Sequence, residues 1–257
     1  MSDVVLTLKQ LRYENRAFWR NPAAAFFTFA FPLMFLVIFN LLFGSREIGP
    51  PGQPITTSTF YVPAISAFSI IGATFTNLAI SLSFSRDLGI LKRVRGTPLP
   101  AWVYMVGRIV HSVLLSLLLV VVVTVFGALF YDVEVPTQTM PAVFVALVVG
   151  GGAFCALGLA MTAVIPNADA SPAIVNGTIL PLLFISDVFI PLEEAPEWLV
   201  TLGDIFPVKH LSTAMQTAFN PFTTGSGFEW GDLAVISLWG VAGLVLAVRF
   251  FSWEPRR

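Results

Sequence analysis

Six long apolar stretches divide this 257-residue chain, and the segments that join them sort its positive charge onto one side. With the segments numbered alternately inner and outer, starting inner, 12 of the 14 Lys and Arg residues fall in inner segments. Only Arg46 and Lys209 fall outside, and Asp and Glu lean toward the outer segments. A Lys/Arg bias near span ends fixes orientation, so the pattern predicts a membrane protein with both termini cytoplasmic. Composition agrees: 56% of residues are apolar and 11% charged, against about 25% charged in soluble domains.

A hydrocarbon layer roughly 30 Å thick needs about 20 apolar residues as helix. Residues 23–43, 60–84, 108–130, 140–165, 171–190 and 232–249 meet or approach that length. Barrel strands would show alternating segments of about ten residues, and none occur. The expected fold is therefore an all-α membrane protein forming one transmembrane domain over 1–257. It has six transmembrane helices, an N-terminal amphipathic interfacial helix over 1–22, and re-entrant outer helices within 191–230. The interfacial helix follows from Lys9, Arg12, Arg16 and Arg20, spaced to share one face, with Val4, Leu8, Leu11 and Phe18 on another. The outer helices follow from Leu211, Ala214, Met215, Ala218 and Phe219 at helical spacing, preceded by Trp198, Leu199, Leu202 and Phe206.

Within the spans, Phe27, Phe31, Phe35, Phe39 and Phe43 form a ladder with a four-residue step. Two readings fit: bulk that faces lipid or packs helices, or an aromatic wall along a pathway for an apolar substrate. The second span is partly polar, with Asn77 at membrane depth beside Ser66, Ser69, Thr76 and Ser83. Such groups face a bundle or a cavity. Gly150, Gly151, Gly152, Ala156 and Ala160 give the fourth span a close-packing surface. Asp187, near the outer end of the fifth span, is open to three readings: a hydrated interface residue, a partner for another polar group, or a contact for a cationic substrate.

The inner segment from Ser85 to Pro100 reads Ser-Arg-Asp-Leu-Gly-Ile-Leu-Lys-Arg-Val-Arg-Gly-Thr-Pro-Leu-Pro. Arg86–Arg95 can form a short basic helix ended by Gly96 and Pro98. This stretch resembles the cytoplasmic loop of type-2 ABC transporter permeases. A second match runs from Ile185 to Leu199, with Phe206, Pro207 and His210 beyond it, and a weaker one covers Ile165–Asp169. Where the family pattern commonly has glycine, this chain has Asp187.

The resemblance implies the membrane half of an exporter. Arg86, Asp87, Lys92, Arg93 and Arg95 would then sit on a coupling helix docked in an ABC ATPase subunit. Pro166, Asn167 and Asp169 would make a second, smaller contact. Phe27, Phe31, Phe35, Phe39, Asn77 and Asp187 are candidates for the pathway. The implied partners are two ATPase copies, a second permease chain (the same or related) and membrane lipids; no nucleic acid is expected. The implied location is the prokaryotic plasma (inner) membrane.

No catalytic, cofactor-binding or metal-ligating set emerges from the chain itself. A phosphate-cradling loop needs Gly-Lys followed by Ser or Thr, and the only three lysines follow Leu8, Leu91 and Val208. ATP and Mg are therefore expected on the partner ATPase. A His-Glu-x-x-His pair is also absent, and the first, second and fourth spans lack charges for ion conduction. Phe-rich, Tyr-poor spans favour a hydrophobic or amphiphilic cargo such as a drug or lipid. The alternatives are a polysaccharide or glycolipid export permease and a regulatory membrane subunit that only recruits a partner.

Overall fold

Asn21 separates the first two helices of the computed structural model, which describes residues 3–44, 47–48, 54–192 and 195–254. Arg46 lies outside the described residues, as do parts of the 44–59 and 191–230 segments. Helix α1 (Asp3–Trp19) precedes Asn21, and its Arg12 and Arg16, with Arg20 just beyond, are exposed. The Asn21 side-chain oxygen then accepts from the Ala24 amide at 3.2 Å, and Pro22 opens α2 (Pro22–Phe43). An N-cap followed by an N1 proline is a strong start signal, since neither leaves an amide unsatisfied.

A two-residue ribbon, β1 (Glu47–Ile48) against β2 (Ile55–Thr56), leads into α3 (Thr57–Ile71). This helix continues through a π-helical turn, Gly72–Thr76, into α4 (Asn77–Asp87). Gly89, at φ 68°, reverses the chain into the short α5 (Ile90–Arg95), a left-handed step that costs glycine little. There follow α6 (Ala101–Tyr131), α7 (Met140–Met161), α8 (Ser171–Phe184), α9 (Glu197–Ile205), α10 (Pro207–Phe219) and α11 (Trp230–Phe250).

The all-α membrane architecture is present. Among the described residues five helical spans are long and apolar enough to cross a bilayer: α2, α3–α4, α6, α7 and α11. The stretch 171–190 differs from expectation. Its helix, α8, has 14 residues. At 1.5 Å per residue it rises only about 21 Å, short of a hydrocarbon layer. It ends at Phe184, and the chain then turns through residues 185–187, where Asp187 takes a left-handed φ of 53°. The apolar run continues past that turn to Ile190, so hydropathy alone does not reveal the break.

One end of the bundle gathers α1, α5, the α7–α8 turn and the last described residues, where Trp253 packs near Tyr104. Glu14 of α1 pairs with Arg108 of α6 at 3.4 Å, and Phe18 packs edge-on to His111. The opposite end holds β1–β2, α9 and α10. There Asn40 of α2 accepts from Ser58 Oγ at 2.5 Å, and Thr139 donates to the Ala218 carbonyl at 2.5 Å. The periodic apolar set Leu211, Ala214, Met215, Ala218 and Phe219 is buried in α10, whereas Trp198 of α9 is 68% exposed.

Among the described residues α7 and α11 make the most extensive helix–helix contact. A methyl group on Gly240 would fall 2.9 Å from Ala153 Cβ, and one on Gly243 would fall 2.9 Å from the Leu157 amide nitrogen. Without a hydrophobic drive between helices in lipid, such backbone proximity is a main source of association.

Candidate coupling site and apolar cleft

The short helix α5 is moored rather than free. Leu91 is fully buried in a cluster with Leu78 and Leu82 of α4, Tyr104 of α6, Cys155 and Leu159 of α7, and Ala247 of α11. A displacement of α5 therefore bears first on α4, against which it packs, and through this cluster on the helices behind it. On its outward side Lys92, Arg93 and Arg95 are exposed. Arg93 folds back over the preceding turn, donating from Nη2 to the Leu88 carbonyl at 3.1 Å and from Nε to the Gly89 carbonyl at 3.4 Å. Pro166, Asn167 and Asp169 are exposed on the α7–α8 turn.

Arg86 and Asp87, expected among the partner-facing groups, are placed differently. Arg86 is 2% exposed and its guanidinium points inward. It donates from Nη1 to the Thr162 carbonyl at 3.0 Å, and from Nη2 to the Ile165 carbonyl at 3.0 Å and the Pro166 carbonyl at 3.4 Å. Its Nε donates to Asp87 Oδ1 at 3.0 Å, while Asp87 Oδ2 accepts from the Ala168 amide at 2.6 Å. A cation beside the last carbonyls of α7 is favoured by the helix dipole, and the adjacent carboxylate neutralises it. Burial of such a charge is tolerable only with this degree of pairing.

Between α2, the α3–π–α4 span and α8 lies an open apolar cleft of about 550 Å³. Phe27, Phe31 and Asn77 of the predicted pathway set line it, together with Phe68, Leu119 and Asn176. The Thr28 and Ser69 hydroxyls along it donate to their own helices' carbonyls, Ala24 and Ile65. The carboxamides of Asn77 and Asn176 make no hydrogen bond among the described residues, so they are the polar groups a ligand would meet. The π-helical turn forms part of the wall, and such turns often mark functional positions. A smaller polar pocket of about 200 Å³, holding Glu14, Arg108 and His111, meets the cleft at Ala24 and Asn77.

The rest of the phenylalanine ladder leaves the cleft. Phe35 stacks on Phe189 at 5.3 Å and Phe39 stacks on Tyr61 at 4.8 Å, which makes them packing residues at the opposite end from α5. Asp187 also lies away from the cleft. Its Oδ1 accepts from the Leu192 amide at 2.6 Å, and its carbonyl accepts from Gln216 Nε2 at 2.8 Å and Ser212 Oγ at 3.1 Å. At φ 53° it occupies the region that favours glycine and, after it, Asn and Asp. The position calls for the glycine of the family pattern, and an aspartate fits because its carboxylate closes the turn. Asn40, Asn176 and the Gly240–Gly243 pair escaped the sequence reading. The first two are lone amides in apolar runs, though the small residues three apart in the last span were a readable signal.

A multi-pass helical bundle with a moored basic helix at one end and an apolar cleft open on its flank has the form expected of a membrane transport subunit. Comparison with known proteins agrees. The chain belongs to the ABC-2 type transporter family, whose pattern matches residues 7–220. It is similar to the putative transport permease ycf38 of Porphyra purpurea, with 26% identity over 228 residues, 84% of this chain and 76% of the relative. The putative transport permease YvfS of Bacillus subtilis (strain 168) is 22% identical over 205 residues, 80% of this chain and 82% of the relative. The daunorubicin resistance ABC transporter permease protein DrrB1 of Streptomyces coeruleorubidus is 26% identical over 224 residues, 83% of this chain and 74% of the relative. Membership implies an ABC ATPase subunit as working partner.

Proposed function

We propose that this chain is the permease subunit of an ATP-driven exporter that moves a hydrophobic or amphiphilic compound, a drug or a lipid, out of the cytoplasm or inner leaflet. The apolar cleft with two unengaged carboxamides, Asn77 and Asn176, carries this reading. Apolar walls accept a greasy body, and the amides select among polar ends. The daunorubicin resistance function in one relative's name supports a drug-like cargo. The exposed Lys92, Arg93 and Arg95, with Pro166, Asn167 and Asp169, form the face that docks the ATPase.

In this reading two ATPase copies bind ATP and Mg, two permease chains (identical or related) form the pathway, and both termini lie in the cytoplasm of a prokaryotic cell. ATP supplies the closure of the ATPase pair. The permease converts that closure into movement of packed helices, in the manner of rigid-body alternating access.

Proteoliposomes holding the permease and its ATPase test the cargo assignment. Losing one neutral hydrogen bond changes affinity by roughly 2–10-fold. Asn77→Leu should therefore raise the half-saturating concentration of a polar-headed amphiphile by about that factor, with a smaller effect on a wholly apolar dye. Phe31→Ala should shift the preference toward bulkier compounds. Unaltered export of every compound by both variants would remove the cleft from the pathway.

A further inference from the structure

The two cytoplasm-directed elements expected to touch a partner, α5 and the α7–α8 turn, are joined by the pair that sequence reading had assigned to the partner itself. Arg86 is the last-turn residue of α4, one glycine turn away from α5. Its guanidinium holds three carbonyls at and just beyond the end of α7, those of Thr162, Ile165 and Pro166. Asp87 holds the Ala168 amide within the same turn. From Ala168 the connection continues into the next helix, because Ser171 Oγ donates to the Ala168 carbonyl at 2.6 Å and the Asn167 side chain accepts from the Ala170 amide at 2.9 Å. Ser171 begins α8, and α8 contributes Asn176, Ile179 and Leu183 to the cleft wall.

We propose that Arg86 and Asp87 form an intramolecular latch that makes α5 and the α7–α8 turn one rigid body, so that a push on either reaches the α8 wall of the cleft. They are positioning residues and not ATPase contacts. This rests on the transport reading above for its direction of force, but the latch itself is a property of the chain alone. Burial supports it: a guanidinium at 2% exposure has no face left for a partner. Chemistry supports it as well. Every acceptor it uses is a backbone carbonyl or the neighbouring carboxylate, so the link depends on the path of the turn and not on exposed side chains. Among the described residues α4 also packs against α7 and α8, and such packing resists sliding less than directional, charge-assisted bonds do.

The test uses the full chain with buried Cys155 replaced by alanine and spin labels at Thr97→Cys, after α5, and Ala173→Cys, in the first turn of α8. Distances are read well below the unfolding midpoint. The latch predicts a single narrow distance in the parent and a broadened or two-peaked one in Asp87→Ala. Asp87→Asn, which keeps an oxygen for the Ala168 amide, should lie between them. A residue that only contributes stability would lower the midpoint and leave the distance narrow. In proteoliposomes with the ATPase, cargo moved per ATP hydrolysed should fall at least about tenfold in Asp87→Ala, the scale of one lost charge-assisted hydrogen bond.

A narrow, parental distance in Asp87→Ala, with cargo per ATP within a factor of about two, would overturn the latch. If Asp87→Ala does not fold, Asp87→Asn and Arg86→Lys carry the same comparison, and a parental distance in both overturns it. The distance needs no ATPase, so a parent chain that shows no ATP-dependent transport refutes the transport reading and leaves the latch to be judged by its labels.

Discussion

Adding one methyl group at Gly240 should pry α11 from α7. That methyl would fall 2.9 Å from Ala153 Cβ and 3.0 Å from Ala153 Cα. Carbon atoms pack at roughly 3.5–4.0 Å, so the helices must separate by about half an ångström or more. The contacts are a backbone atom and the first atom of a side chain, so no rotamer change relieves them. Overpacking of this kind costs about 1–3 kcal/mol. Alanine also favours a helix over glycine by up to about 1 kcal/mol, which masks part of that cost. Gly152→Ala cancels the masking term, because it makes the same exchange in α7 with nothing within 4 Å of the new methyl. The difference between the two variants is then the clash alone. At about 2 kcal/mol it corresponds to ~4–8 °C for a chain of this size. Cys155, the only cysteine, is buried in α7 in a cluster that includes Ala247 of α11, so a thiol-reactive fluorogenic dye reads the loosening of the bundle on heating. Gly240→Ala should unmask Cys155 several degrees below Gly152→Ala. Equal midpoints would refute the close-packing argument.

Two further outcomes concern the opposite end of the bundle. Asn40 accepts from Ser58 and donates to the Leu36 carbonyl at 2.9 Å, joining α2 to α3. A double-mutant cycle of Asn40→Ala and Ser58→Ala should give a coupling of about 0.6 kcal/mol and no more than ~1.7. Additive effects in denaturant titration would show that the contact holds nothing together. At Asp187, the left-handed backbone makes Asp187→Asn nearly neutral, while Asp187→Val should cost about 1–2 kcal/mol or more through its β-branch. A valine variant as heat-stable as the parent would mean that the turn relaxes to another conformation.

How far the sequence could be read follows the physics of each signal. Burial in lipid requires long apolar runs, so α2, α3–α4, α6, α7 and α11 were legible as spans, and the 3.6-residue spacing marked α10. The end of α8 was not legible, since the turn through residues 185–187, with Asp187 left-handed, ends the helix without breaking the run of apolar residues. Helical spacing placed Arg86 and Asp87 on the same basic segment as Lys92, Arg93 and Arg95. It could not tell which of them turns inward, because the groups that hold Arg86 are backbone carbonyls some 76 to 80 residues away and carry no side-chain signature. The phenylalanine ladder divides for a related reason. Its four-residue step drifts about 40° per repeat, so Phe27 and Phe31 reach the cleft while Phe35 and Phe39 rotate onto Phe189 and Tyr61.

The central claim is that the face carrying Lys92, Arg93 and Arg95 docks an ATPase that drives the cleft. A photo-crosslinking residue in place of Arg95, with the same residue at Val245 on the exposed apolar side of α11 as control, tests it in the native host. Mass spectrometry of the adduct should identify an ABC ATPase with a P-loop at Arg95 and none at Val245. An Arg95 adduct without an ATPase, or the same captures at both positions, would contradict the account.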